Sequence, residues 1–157
     1  MSVLQIESII RGIASGQYPR KVGSQFGSTW RSDGLLAAEA SPKELSAFGA
    51  AANTRFCHSQ DITWLGREWS VLLSYSANKL AQVSVYTTYD EQFVGTVVLW
   101  LSSVLGTPKE SSSEFSWLAS DGLVALTKTS QSVQVDARRF KLLELLFFKF
   151  KSLFGVH

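Results

Sequence analysis

The stretch Ile62–Leu105, ITWLGREWSVLLSYSANKLAQVSVYTTYDEQFVGTVVLWLSSVL, changes its hydrophobic period once, and that change decides the fold class. Trp69, Val71, Leu73 and Tyr75 recur at every second position. From Leu80 to Tyr89, Ala81, Val83, Val85 and Thr87 alternate with Gln82, Ser84, Tyr86 and Thr88. A period of two is that of a strand burying one face. Ser76 to Lys79 supplies turn chemistry between the runs, which predicts an antiparallel hairpin. After Tyr89 the period becomes helical: Phe93, Val94, Val97, Val98, Trp100, Leu101, Val104 and Leu105 form a broad apolar face. Thr88 with Glu91 as a capping box, or Asp90 alone, caps the helix start. Gly106 fits a left-handed exit, and Pro108 prevents resumption. Strand, strand, helix in that order specifies an α+β fold.

Working outward toward the C-terminus, Glu114 to Ala119 alternates, Asp121-Gly122 reads as a two-residue turn, Leu123 to Lys128 returns, and Ser132 to Asp136 follows. These predict a three-stranded meander. The segment from Ala137 to Phe154 is dense in Leu and Phe and is expected to be a helix, with Phe140, Leu143, Phe147, Phe150 and Phe154 on one stripe and further apolar residues around the cylinder. A single sheet does not cover such a helix, so the readings are core burial first, a homodimer or partner contact second, and a basic amphipathic helix on a membrane surface third.

Toward the N-terminus, Arg55 to Ser59 is expected to be a strand leading into Asp61 to Leu65. Ser41-Pro42-Lys43-Glu44 opens a short helix running to about Ala51, and Asp33-Gly34 suggests a hairpin between Trp30 and Leu35. Ser2 with Gln5 caps an amphipathic helix carrying Val3, Ile6, Ile10 and Ile13 and stopped by Gly16. A weak echo between 1–60 and 90–136, Phe26-Gly27-Ser28 against Leu105-Gly106-Thr107, suggests two halves of related design. The whole reads as one α+β domain over 1–157, with an antiparallel sheet of about five to seven strands and amphipathic helices packed on one face.

At 157 residues, with 45% apolar residues, five Trp and ten Phe, the chain can build a core without metals or disulfides. A net charge of +2 with scattered bases argues against nucleic acid. Cys57 is the one cysteine, which suits a reducing compartment. The first residues lack the basic start of a signal peptide, and no apolar run reaches membrane-spanning length. A cytoplasmic, bacterial location is the expectation.

The chemistry-bearing residues are sparse. Cys57-His58 places thiol and imidazole side by side, but neighbours on a strand point to opposite faces, and a buried Cys beside a surface His is the plainer account. Asp90-Glu91 is explained by the helix start. Two His and one Cys give no metal constellation, and neither metal nor cofactor is expected. Arg67-Glu68, beside Trp64 and Trp69, reads as a turn with a local ion pair or as a binding edge. The polar strand face of Gln82, Ser84, Tyr86 and Thr88 reads as a solvated sheet face or a recognition surface.

The expectation is therefore a noncatalytic protein-binding domain. Specifically it is an immunity-type protein that neutralises a toxin by covering its active site, with Tyr86, Arg67, Trp64 and Trp30 as contact residues. The immunity reading is an analogy of build. The alternatives are a small-ligand or enzymatic domain with Cys57, His58 or Asp61 lining its pocket, and a secretion or structural adaptor that dimerises through the Phe-rich C-terminal helix.

Overall fold

The computed structural model describes residues 3–15, 38–39, 54–76, 79–119 and 122–139. They form helix α1 (Val3–Ser15), strands β1 (Ala38–Glu39), β2 (Thr54–Trp64), β3 (Arg67–Ser76) and β4 (Lys79–Thr88), helix α2 (Glu91–Leu105), and strands β5 (Lys109–Glu110), β6 (Glu114–Leu118), β7 (Gly122–Lys128) and β8 (Ser132–Arg139). The eight strands make one sheet in the order β1-β2-β3-β4-β8-β7-β6-β5, antiparallel at every pairing. The fold is α+β, as the change of period in Ile62–Leu105 implies. The count exceeds the expected five to seven because β1 and β5 are two-residue edge strands.

Topology follows from the long connection. β2, β3 and β4 succeed one another, α2 then carries the chain to the far edge, and β5 to β8 return inward until β8 pairs with β4. Four inter-strand steps span about 19 Å. At 15 residues, α2 extends about 22 Å, so one helix suffices to make the crossing. Asp90 is its N-cap: in extended conformation (φ −156°, ψ 120°) it accepts from the Phe93 amide, and this rather than a Thr88–Glu91 box starts the helix. Gly106 has the expected positive φ of 89°, but its ψ of −159° is extended rather than left-handed helical. Its N–H still closes the last turn on the Ser102 carbonyl.

One buried cluster takes Ile6, Ile9, Ile10 and Ile13 from α1 and Phe93, Val94, Val97 and Leu101 from α2. From the strands it takes Val71 and Leu73, Val83 and Val85, Val124 and Leu126, and Val133 and Val135. Every strand pair named is spaced by two, which is the pleat burying one face. Both helices thus share the face of the sheet that these residues line. Around it lie four aromatic rings. Trp64 is 5.3 Å from Trp69 and 5.3 Å, edge-on, from Trp100, and Trp69 is 5.7 Å from Phe93 between centroids. The buried indoles are hydrogen-bonded: Trp69 donates to the Trp64 carbonyl at 2.8 Å, Trp64 to Glu7 of α1 at 3.2 Å, and Trp117 to the Gly106 carbonyl at 3.0 Å.

Several local expectations are corrected. Arg55–Ser59 and Asp61–Leu65 are one strand, interrupted by a bulge where register with β3 shifts between Ser59 and Ile62. A second bulge between Ser74 and Tyr75 puts Leu80, not Ala81, opposite Tyr75, so Leu80 is buried and Ala81 only half-buried. Arg67 and Glu68 are not the turn. The β2–β3 loop is Leu65-Gly66, both with positive φ (53° and 78°) as a two-residue hairpin turn demands, and Leu65 offsets its strained conformation by packing on the core. Gly122 is a strand residue paired with Arg139, and the Ala119 amide donates to its carbonyl. Ala137, Arg138 and Arg139 belong to β8 rather than to a helix, because their pairing with β4 and β7 continues the ladder.

Trp30, the 41–51 helix, the 33–34 hairpin and the Phe-rich segment from Phe140 onward lie outside the described residues.

Candidate functional site

Arg67 opens β3 immediately after the Leu65-Gly66 turn. Its guanidinium donates to the Asp90 carboxylate, the same group that caps α2, and stands 4.4 Å from the centroid of the Phe93 ring. Cation–π contact and ion pair together fix it between the β2–β3 turn and the start of α2. The ion pair is long-range, not the local one with Glu68 that adjacency in sequence suggests. Asp90 is held below the usual carboxylate range by the Phe93 amide first and the Arg67 hydrogen bond second.

Beside Arg67 the sheet surface sinks into a depression of about 610 Å³, whose walls include Asp61, Glu68, Ser70, Tyr86, Thr88 and Gln131. Pleating explains the set. Tyr86 pairs with Ser70 on β3 and with Gln134 on β8, so these residues stand on the sheet face opposite the helices. Asp61 reaches the same place through the β2 bulge, where the extra residue re-aims the chain. The β8 end is closed by the Tyr89 amide donating to the Gln131 carbonyl at 3.0 Å. Asp61, Glu68 and Thr88 are exposed, whereas Tyr86 is half-buried and packs on Phe56 and Leu72.

Next to the depression, on the same face, three side chains from β4 and β8 join around one carboxylate. Asp136 accepts from the Ser84 hydroxyl, from Gln82 at 3.2 Å, and from Gln134 through both oxygens at 2.9 and 3.0 Å. The carboxylate thus gathers neutral donors from both paired strands. It fixes the β4–β8 register and cross-links the two meanders. The face is therefore not an ordinary solvated one: Leu72 is 2% exposed and Ser84 4% exposed.

Of the four residues singled out from sequence, Tyr86 and Arg67 meet at the depression. Trp64 is 1% exposed, hydrogen-bonded to α1, and part of the core. Trp30 lies outside the described residues. Asp61, named as pocket lining, does line it. His58 is half-buried on β2, and the Cys57 side chain is outside the described set. Sequence reading missed Ser70 and Gln131 as wall residues and Asp90 as the partner of Arg67; Glu68, read with Arg67 as a turn or a binding edge, does line the depression. Among the described residues no group of three or more His, Cys, Asp or Glu lies together as a metal site would require, and no helix is long and apolar enough to cross a membrane.

Comparison with protein-family models, with curated proteins and with solved structures returned no match.

Proposed function

We propose that this chain is a noncatalytic protein-binding domain that meets its partner at the depression beside Arg67 and Tyr86, and that the partner is a toxin neutralised by being covered. The observation that carries the reading is the convergence of an arginine held by Asp90 and Phe93 and a tyrosine packed on Phe56 and Leu72 around one concavity. Arg and Tyr are the side chains most often found dominating interfaces, and anchors already held by neighbours lose little rotamer entropy on binding. A stable complex needs roughly 800 Å² from each partner, so the depression is the centre of the patch rather than the whole of it. The toxin-directed reading adds the analogy with small inhibitory partner proteins and is the finer part of the proposal.

Thr88→Tyr tests it. Thr88 is exposed and lines the depression, so a bulky side chain there fills the space without changing charge. Surface substitutions of this kind alter stability by at most about 0.5 kcal/mol. The expected outcome is that the wild-type chain retains a stoichiometric protein from native lysate and suppresses that protein's toxicity on co-expression, while Thr88→Tyr, with an unchanged melting temperature, does neither. Equal retention by both chains would place the contact elsewhere.

A volume of about 610 Å³ is also that of a small-molecule cleft, which makes a polar metabolite the second reading. Its mark would be saturable thermal stabilisation by a compound, abolished by the same variant.

A further inference from the structure

We infer that the partner presents a basic side chain to this depression, a lysine or arginine seated beside Tyr86 between the carboxylates of Asp61 and Glu68; the inference rests on the protein-binding reading above. Its basis is the charge balance of the walls. Asp61 and Glu68 are both exposed, and neither has a hydrogen-bond or ion-pair partner among the described residues. Arg67, the basic wall residue, is engaged by Asp90 and covered on one side by the Phe93 ring. Its charge is compensated within the fold. The depression therefore carries two negative charges that no described residue compensates, on a chain whose net charge is +2.

The local field and the net charge have opposite signs, and at close range the local one governs. At about 0.1 M salt a charge is felt over roughly 10 Å, so an approaching cation in the depression senses Asp61 and Glu68 before the lysines and arginines elsewhere. Tyr86 adds an aromatic wall, and a desolvated cation within about 6 Å of such a ring is attracted by its quadrupole. An acidic partner loop would meet two like charges with no free base on the described wall to receive it. Net charge alone argues against a basic partner; the arrangement of the walls reverses that conclusion.

Two arms test the inference with the full chain. First, the ¹⁵N-labelled protein is titrated with a capped pentapeptide of Gly, Lys and Arg and with its counterpart of Gly, Asp and Glu, reading the amides of Glu68, Ser70, Tyr86 and Thr88. The expected result is saturable shifts at these amides with the basic peptide alone. Asp61→Asn with Glu68→Gln is expected to weaken that binding at least threefold, whereas Glu110→Gln with Glu114→Gln, which removes equal charge at the far edge of the sheet, leaves it unchanged. Shifts with both peptides, with neither, or an equal loss in the far-edge variant overturn the inference.

Second, the retained partner protein is challenged with the same variants. Asp61→Lys with Glu68→Lys is expected to lower its affinity tenfold or more at low salt, with the difference shrinking toward 1 M, where screening falls to about 3 Å. If Thr88→Tyr releases the partner and the charge variants do not, the depression is the site and the cationic chemistry is wrong. If none of them releases it, the protein-binding reading of this depression fails as well.

Discussion

Gly122→Ala is expected to destabilise the fold by about 1–3.5 kcal/mol. A Cβ built on Gly122 would stand 2.3 Å from the Arg138 carbonyl oxygen and 3.2 Å from both the Arg138 carbonyl carbon and a methyl of Ile13. An ordinary C···O contact is about 3.3 Å or more, so β7 must withdraw from β8 by about 1 Å. Neighbouring strands are only about 4.8 Å apart, and a shift of that size loosens the Gly122–Arg139 pairing while α1 blocks the alternative escape. Overpacking costs typically 1–3 kcal/mol, and a weakened ladder bond adds about 1 kcal/mol. Against this stands the reduced freedom of the unfolded chain, about 0.4–1 kcal/mol in favour of Ala. The clash prevails. For a chain of this size 1 kcal/mol moves the melting temperature by about 2–4 °C, so a drop of roughly 4–8 °C is expected for a loss of about 2 kcal/mol. Gly95→Ala is the control: Gly95 is exposed within α2, its added Cβ meets nothing within 4 Å, and the gain in helix propensity of about 0.5–1 kcal/mol is realised in full. Differential scanning calorimetry and urea unfolding of the two variants decide the matter. A Gly122→Ala protein melting within about 2 °C of wild type, or a Gly95→Ala protein melting lower, would refute the reasoning.

Other perturbations separate core from surface. Trp64→Ala is expected to cost about 3–5 kcal/mol, as for a large aromatic removed from a core, and the residual folded protein keeps its partner because Trp64 lies on the helix side of the sheet; urea unfolding with a binding assay below the transition reads both. Arg67→Ala is expected to lower stability by about 1 kcal/mol through loss of the Phe93 contact, so, contrary to what an exposed contact residue would do, it reduces affinity and melting temperature together. Asp90→Asn keeps a capping acceptor but loses the charge, so it melts below wild type near neutral pH. Because the folded carboxylate titrates below its ordinary value, its contribution is fully present above the unfolded pKa and is lost as pH falls through the folded one; the gap between the two melting curves is expected to shrink as pH is lowered through the acid range, and a gap that does not shrink would contradict the assignment.

What was legible in the chain is what local sequence encodes. The β3–β4 hairpin, α2 with its Asp90 cap and Gly106 exit, and the β6–β8 meander were each readable from a period or a cap, because side-chain alternation and terminal hydrogen bonds involve residues a few positions apart. What was not legible depends on pairing between distant segments. Gln82 and Ser84 showed a polar strand face, but only the β4–β8 register joins them with Gln134 and Asp136 into one hydrogen-bonded group. The bulges at Gln60-Asp61 and Ala81 shift faces by one residue, which a strict period of two cannot anticipate. Trp64 illustrates the other limit: an aromatic at a strand end can face water or core, and Glu7, the partner that holds it inside, is 57 positions away. Gly122 looked like turn chemistry because Asp-Gly is a turn dipeptide; the need for glycine comes instead from the closeness of β8 and α1.

Asp90 links the scaffold to the site. It caps α2 and holds Arg67, so the helix start and the wall of the depression rest on one carboxylate. If Arg67 were released from Asp90, its guanidinium would be free to compensate Asp61 or Glu68, and the depression would lose the excess negative charge on which selection of a cation depends. A variant that uncouples the pair without touching the walls therefore changes specificity as well as stability. Asp90→Asn should weaken binding of the basic pentapeptide even though residue 90 does not line the depression. Asp61 and Glu68 remain in place in that variant, so a loss of binding would be an effect of compensation rather than of missing carboxylates. In a double-mutant cycle between Asp90→Asn and Arg67→Gln, the second substitution removes the cation and should restore peptide binding to the Asp90→Asn background. Independent, additive losses would instead mean that a released Arg67 does not compensate the wall carboxylates and that its pairing with Asp90 is incidental to selection of the cation.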